Sequence, residues 1–193
     1  MSQRCKQFLF CMLLSLSLFA AGVSAEGIKL KSLELEKVDS EWLLNATFQI
    51  ELTPGLEDAL QKGLVLHFQT EFEVTRSRWY WFDERPALTV RNTRLSYQPL
   101  TQQYRIASEG FSFSAKTIFE ALQAVGTIGG WRVVDSSQLD PSKSYNAALR
   151  LTLDLSKLPK PFQVNALNNR EWNLSSDWAR LPFLPNGPSP IRR

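Results

Sequence analysis

The feature that most constrains this 193-residue chain is strict alternation of apolar and polar side chains. Trp42, Leu44, Ala46, Phe48, Ile50 and Leu52 occupy every second position, with Asn45, Thr47, Gln49 and Glu51 between them. Leu64, Leu66, Phe68, Thr70, Phe72 and Val74 repeat the pattern around His67, Gln69, Glu71 and Glu73. Tyr145, Ala147, Leu149, Leu151, Leu153 and Leu155 repeat it around Arg150, Thr152 and Asp154. Successive side chains of a strand point to opposite faces. A period of two with one apolar face therefore specifies a half-buried antiparallel strand.

Shorter strands fit between these runs. Ile28 and Leu30, then Leu33 and Leu35, alternate but change parity near Lys31-Ser32, which a bulge would explain. Leu88-Thr89-Val90 begins a strand, and Leu95-Ser96-Tyr97 resumes it with the opposite parity. Gln98-Pro99-Leu100-Thr101 reads as a turn leading to Tyr104 and Ile106, hence a hairpin. Trp131, Val133 and Val134 suggest a further short strand after Gly129-Gly130. Two segments read as helices. Thr53 is an N-cap before Pro54, with acids in the first turn and Gly63 as the stop. The second runs from a Ser114 cap to about Val125, with Ile118, Phe119, Leu122 and Val125 on one face and Gly126 ending it. Beyond it, Leu158 to Phe162 reads as extended and Asn165 to Asn169 as turn-rich, with a last strand near Trp172-Asn173-Leu174. These elements make a mainly β, antiparallel, sandwich-like domain with two short α-helices. A curved sheet covered by helices is the alternative, since the alternation demands one buried face.

The N-terminus differs from the rest. Arg4 and Lys6 precede an uncharged apolar stretch from Phe8 to Ala21, and Val23-Ser24-Ala25 supplies small residues for cleavage. This is the pattern of a secretory signal peptide cut after Ala25. The apolar run is short for a span, which needs about 20 residues, so no stable membrane span is expected after cleavage. The expected organisation is a signal peptide at 1–25, one β-rich domain at 26–185 and a disordered Pro-rich tail at 186–193. Cleavage removes both cysteines, Cys5 and Cys11, and with them any disulfide or thiolate chemistry. It also removes Arg4 and Lys6 from 22 basic residues against 19 acidic ones, leaving 20 minus 19, or +1. With no clustered basic face, nucleic acid is not an expected partner.

Residues 76–86 read Arg-Ser-Arg-Trp-Tyr-Trp-Phe-Asp-Glu-Arg-Pro, a run of four aromatics between charged flanks. If the strand from Leu64 continues in register, Tyr80 and Phe82 keep the buried parity and Trp79 and Trp81 point outward. Either a second layer, such as the segment carrying Trp172 and Trp178, covers the outward pair, or the pair is a docking surface. The docking reading assigns partner binding to Arg76, Arg78, Trp79, Trp81 and Arg85, an aromatic–arginine patch suited to a protein, a saccharide or a membrane interface.

Catalytic chemistry is poorly advertised. His67 is the lone histidine, on the polar face of its strand. Glu71 lies too far along that strand to share an ion with it, so His67 reads as solvated and no metal is expected. Glu34 and Glu36, like Glu71 and Glu73, alternate as on the wet face of a strand. Gly126 to Gly130 follows a helix instead of opening one and lacks the lysine of a phosphate loop. No catalytic residue and no cofactor are assigned.

Asn146 to Leu151, Asp154 to Ala166 and Trp172 to Trp178, with the Leu158-Pro159-Lys160-Pro161 run as the most specific part, resemble a family of exported Gram-negative proteins known as domain of unknown function 4390. The Phe48-Gln49-Ile50 strand, the helix at Leu56 to Leu60 and Trp79-Tyr80-Trp81 agree with it. The family has no established activity, so the resemblance supplies no catalytic residues. Its members are commonly encoded beside a membrane sensor kinase of the nitrogen-regulation type, which implies a signalling partner. The sequence thus leads to a non-catalytic periplasmic binding or adaptor protein whose partner is an envelope protein, with a sensor kinase ectodomain as one candidate. A carbohydrate- or lipid-binding envelope module is the alternative, and an unrecognised hydrolase the more remote one.

Overall fold

The computed structural model describes residues 27–76 and 84–192. In chain order the elements are β1 (Ile28–Val38), β2 (Glu41–Ile50), α1 (Pro54–Gln61), β3 (Leu66–Arg76), β4 (Glu84–Gln98), β5 (Gln103–Ser108) and β6 (Phe111–Ala115). They continue with α2 (Ile118–Gly126), β7 (Thr127–Asp135), β8 (Tyr145–Leu153), α3 (Lys160–Asn168), β9 (Ala179–Phe183) and β10 (Ile191–Arg192). The three alternating runs are β2, β3 and β8, and each buries its apolar parity: Trp42, Leu44 and Phe48; Leu66, Phe68 and Phe72; Leu149 and Leu151.

The strands form two antiparallel sheets. The smaller has the order β10-β1-β2-β7 and the larger β6-β5-β4-β3-β8-β9. Their apolar faces meet in one core. Trp42 of β2 meets Phe183 of β9 edge-on at 5.2 Å, and Trp131 of β7 meets Phe72 of β3 at 6.5 Å. Thr89 of β4 donates its hydroxyl across the layers to the Val133 carbonyl at 2.9 Å. The architecture is therefore sandwich-like. The parity change in β1 is a register shift against β2 between Leu30 and Ser32.

α1 forms as its residues dictate. The Thr53 hydroxyl accepts from Leu56 N, Pro54 occupies the start and Glu57 lies in the first turn. Gly63, at φ 94°, takes the left-handed turn that ends the segment.

Several boundaries depart from the sequence expectation. α2 starts at Ile118 with Thr117 as its cap, not at Ser114, which is a strand residue of β6. The Thr117 hydroxyl accepts from Glu120 N while the Glu120 carboxylate accepts from Lys116 N, so this pair fixes the start. Residues 160–168 are helical where an extended, turn-rich stretch was expected, giving three α-helices among the described residues instead of two. The Pro159 carbonyl accepts from Phe162 N and Gln163 N, and Pro161 lies in the first turn, where its missing N–H costs nothing. Trp172 closes a 3-10 turn instead of opening a strand; the last strand of the larger sheet is β9. Within the segment expected to be a disordered tail, Ile191 and Arg192 pair with Glu34 and Leu33.

Candidate partner-binding face

β3 and β4 are the two central strands that lead into and out of the aromatic run. Their register pairs Val74 with Ala87 and Arg76 with Glu84, with an irregularity between the two pairs. Trp79, Trp81 and Arg78 lie outside the described residues, as do Tyr80 and Phe82. The described members of the expected patch, Arg76 and Arg85, stand at the base of this hairpin. Both are ion-paired. Arg76 meets Glu84 at 2.5 Å with its side chain mostly buried, and its Nε has no hydrogen-bond partner among the described residues. Arg85 is well exposed and reaches Glu73 at 3.9 Å.

The register also sets what surrounds them. Val74 and Phe72 point into the core, so their partners Ala87 and Thr89 do too. Leu88 and Val90 must then face outward, and they are 60% and 36% exposed. On the same outer face, Glu71 lies opposite Val90 on one side and Arg150 of β8 on the other. Arg150 donates both Nε and a terminal nitrogen to one Glu71 oxygen, the Nε contact at 3.0 Å. Its guanidinium carbon lies 4.5 Å from the Trp178 ring centre. Trp178 therefore packs against this face through Arg150; the pair Trp79 and Trp81 that it was expected to cover lies outside the described residues. Trp172 does not. It packs with Phe162 at 5.7 Å, near α1.

The outcome is a strip of exposed aliphatic side chains beside two arginine–carboxylate pairs, near the base of the hairpin that leads into the aromatic run. Arg150, Leu88, Val90 and Trp178 were not assigned from sequence. Leu88 and Val90 carried a signal, because their parity opposes that of Leu95 in the same strand. Without the pairing of β4 to β3, that reversal reads equally well as a bulge.

His67 departs from the solvated reading. It is half-buried at the other end of the same face, in an open pocket of about 400 Å³ with Asn92, Arg94, Ser108, Glu109 and Lys157. Partial desolvation pushes its pKa below 6.5, Arg94 and Lys157 push the same way, and Asp154 opposes them. Elsewhere an open apolar groove of about 390 Å³ runs between α2 and β2, lined by Phe48, Ile50, Phe119 and Leu122 with Lys31 at its rim.

Comparison with known proteins gives one result. A family profile described as a domain of unknown function (DUF4390) matches residues 25–182. No curated protein and no solved structure matches the chain.

Proposed function

The chain belongs to the DUF4390 family, and from that premise we propose that it is a non-catalytic binding protein, exported to the periplasm, that docks an envelope protein on the outer face of its larger sheet. The observation that carries this reading is the exposure of Leu88 and Val90 beside the Arg85–Glu73 and Arg150–Glu71 pairs. Apolar centres ringed by arginine and aromatic side chains are typical of protein interfaces. Glu71 and Glu73, the acids that a hydrolase on this face would need, are held by arginines, which supports a binding role over a catalytic one. The family resemblance makes a sensor kinase ectodomain the first partner class to try.

The test is photocrosslinking in cells. A photoreactive residue at position 88 should capture a discrete envelope protein, and one at the exposed Val38, on the smaller sheet, should not. Capture should be lost when Arg85→Glu is added without change in melting temperature. No capture at position 88, or equal capture at both positions, would sink the docking face. A second reading, a lipid-binding envelope module, rests on the apolar groove beside Phe119, whose volume falls in the range of small-molecule sites, about 300–1,000 Å³. Delipidated and native preparations should then differ in a tightly held lipid seen by mass spectrometry.

A further inference from the structure

Each of the two sheets ends in two edges, and three of these edges are blunted. β10 and Pro190 cover the middle of β1, whose remaining length carries a bulge and Lys29, Lys31 and Lys37. β7 is broken by two register shifts against β2 and turns through Gly130 at φ 58°. β9 contains Arg180 and Pro182, and the Arg180 carbonyl accepts from Arg192. Short covers, charge, bulges and proline all keep a sheet edge from pairing with another chain. β6 has none of them. Its sequence is Phe111-Ser112-Phe113-Ser114-Ala115, and it pairs with β5 without a break.

Arg105 Nε donates to the Ser112 hydroxyl at 3.2 Å and Ala115 is buried, but the two phenylalanines of β6 are incompletely covered. Phe113 lies opposite Ile106, which is fully buried, yet Phe113 is 49% exposed. Phe111, on the same face, is 44% exposed even though the Arg91 guanidinium sits 5.3 Å from its ring centre. Two phenylalanines of core parity, half-exposed on an edge strand with no charged residue of its own, are what the removal of an adjacent strand would leave.

We propose that the missing strand is β6 of a second copy, paired antiparallel about a twofold axis, so that two six-stranded sheets become one of twelve. The register follows from the hairpin. Ser108 and Phe111 flank a two-residue turn and bond to each other, so the odd-numbered residues of β6 bond back to β5. The N–H and C=O groups of Ser112 and Ser114 then point outward. Pairing Ser112 with Ser114 of the second copy puts the axis at Phe113, opposite its own copy in a non-hydrogen-bonded pair, with Phe111 opposite Ala115. Several features favour a second copy over a foreign peptide. The strand has no charge to repel itself. The same register places Lys116 of each copy opposite Gly110 and next to Glu109 of the other, so both ends of the pairing bring opposite charges together.

Analytical ultracentrifugation of the full chain tests the association. The wild-type protein should dimerise at micromolar concentration. Phe113→Lys places like charges directly opposite each other and should weaken the dimer at least about tenfold. Ser114→Pro removes an outward N–H and should do likewise, with melting temperature unchanged in both. The register is tested with Phe113→Cys in a chain whose Cys5 and Cys11 are serine. Mild oxidation should give a disulfide-linked dimer, and Ser112→Cys should not. Should Phe113→Lys fail to fold, the proline variant and the crosslink decide. A wild-type monomer, a dimer that survives both edge variants, or equal crosslinking at positions 112 and 113 would each overturn the proposal.

Discussion

Two single residues show how closely the sandwich depends on local chemistry. Gly126 joins α2 to β7 where the chain passes over β2. A Cβ there would lie 2.3 Å from the Phe48 carbonyl oxygen, a backbone atom that cannot swing away. Gly126→Ala should therefore destabilise the protein by about 1–3 kcal/mol, the usual cost of forcing atoms into a filled space. Urea denaturation reads this directly, and a change under about 0.5 kcal/mol would show that the junction can yield. His67 gives a pH signature. Its folded pKa lies below 6.5, chiefly through burial, with Arg94 and Lys157 adding to the effect and Asp154 opposing it. Between that folded pKa and 6.5 the unfolded chain binds more protons, so stability rises with pH and is lost as pH falls through this window. Asp135 and Asp140 remain ionised there, because hydrogen bonds from Ser137 and Ser142 hold their pKa values below the ordinary 3.8. Denaturation midpoints at pH 7.5 and 5.5 should thus differ more for the wild-type protein than for His67→Gln. Equal slopes would remove His67 from the account. The same substitution should leave the proposed docking face intact, since His67 lies at the far end of the sheet face from Leu88.

At the scale of elements, sequence legibility tracked how much of each element's character was local. β2, β3 and β8 were legible because their inward positions are almost all apolar. α1 was legible because cap, proline and acid are contiguous. β4 was only half legible. Its inward positions include Thr89, Arg91 and Thr93, whose polar groups are satisfied only by partners from other elements: the Val133 carbonyl and the Ser108 hydroxyl. No window of sequence shows that compensation. α3 was missed because proline on both sides of Lys160 reads as extended chain, although proline is tolerated at a helix start. Of the strip on the outer face, Arg85 stood out in the sequence, whereas Leu88, Val90 and Arg150 did not, because they meet only through strand pairing. Thr53 ties two such elements together. Its hydroxyl oxygen accepts from Leu56 N to cap α1 and also donates to the Glu171 carbonyl at 3.0 Å. Thr53→Ala should cost about 0.5–2 kcal/mol as a lost cap, toward the upper end because a second bond goes with it. Thr53→Ser keeps both bonds and should recover most of that loss. If serine and alanine destabilise equally, the methyl packing of Thr53 matters instead of its hydroxyl.

For the whole molecule, the question is what a cut after Ala25 would leave. Among the described residues the core starts with Ile28, and the Gly27 carbonyl accepts from Glu51 N at 3.0 Å. A cut after Ala25 would leave Glu26 as the single residue ahead of this first contact, so the mature chain would keep every described strand and helix. Among the described residues no helix is long and apolar enough to cross a membrane, so any membrane attachment through a helix would have to come from outside them. Export with cleavage therefore predicts two results. Intact-mass spectrometry of the protein recovered from the envelope should give an N-terminus at Glu26, without Cys5 and Cys11. A chain made directly from Glu26 should melt at the same temperature as that recovered form, because after cleavage the two would be the same polypeptide. A full-length species held in the membrane fraction would overturn the cleavage site, and with it the near-neutral, cysteine-free mature chain expected from the sequence.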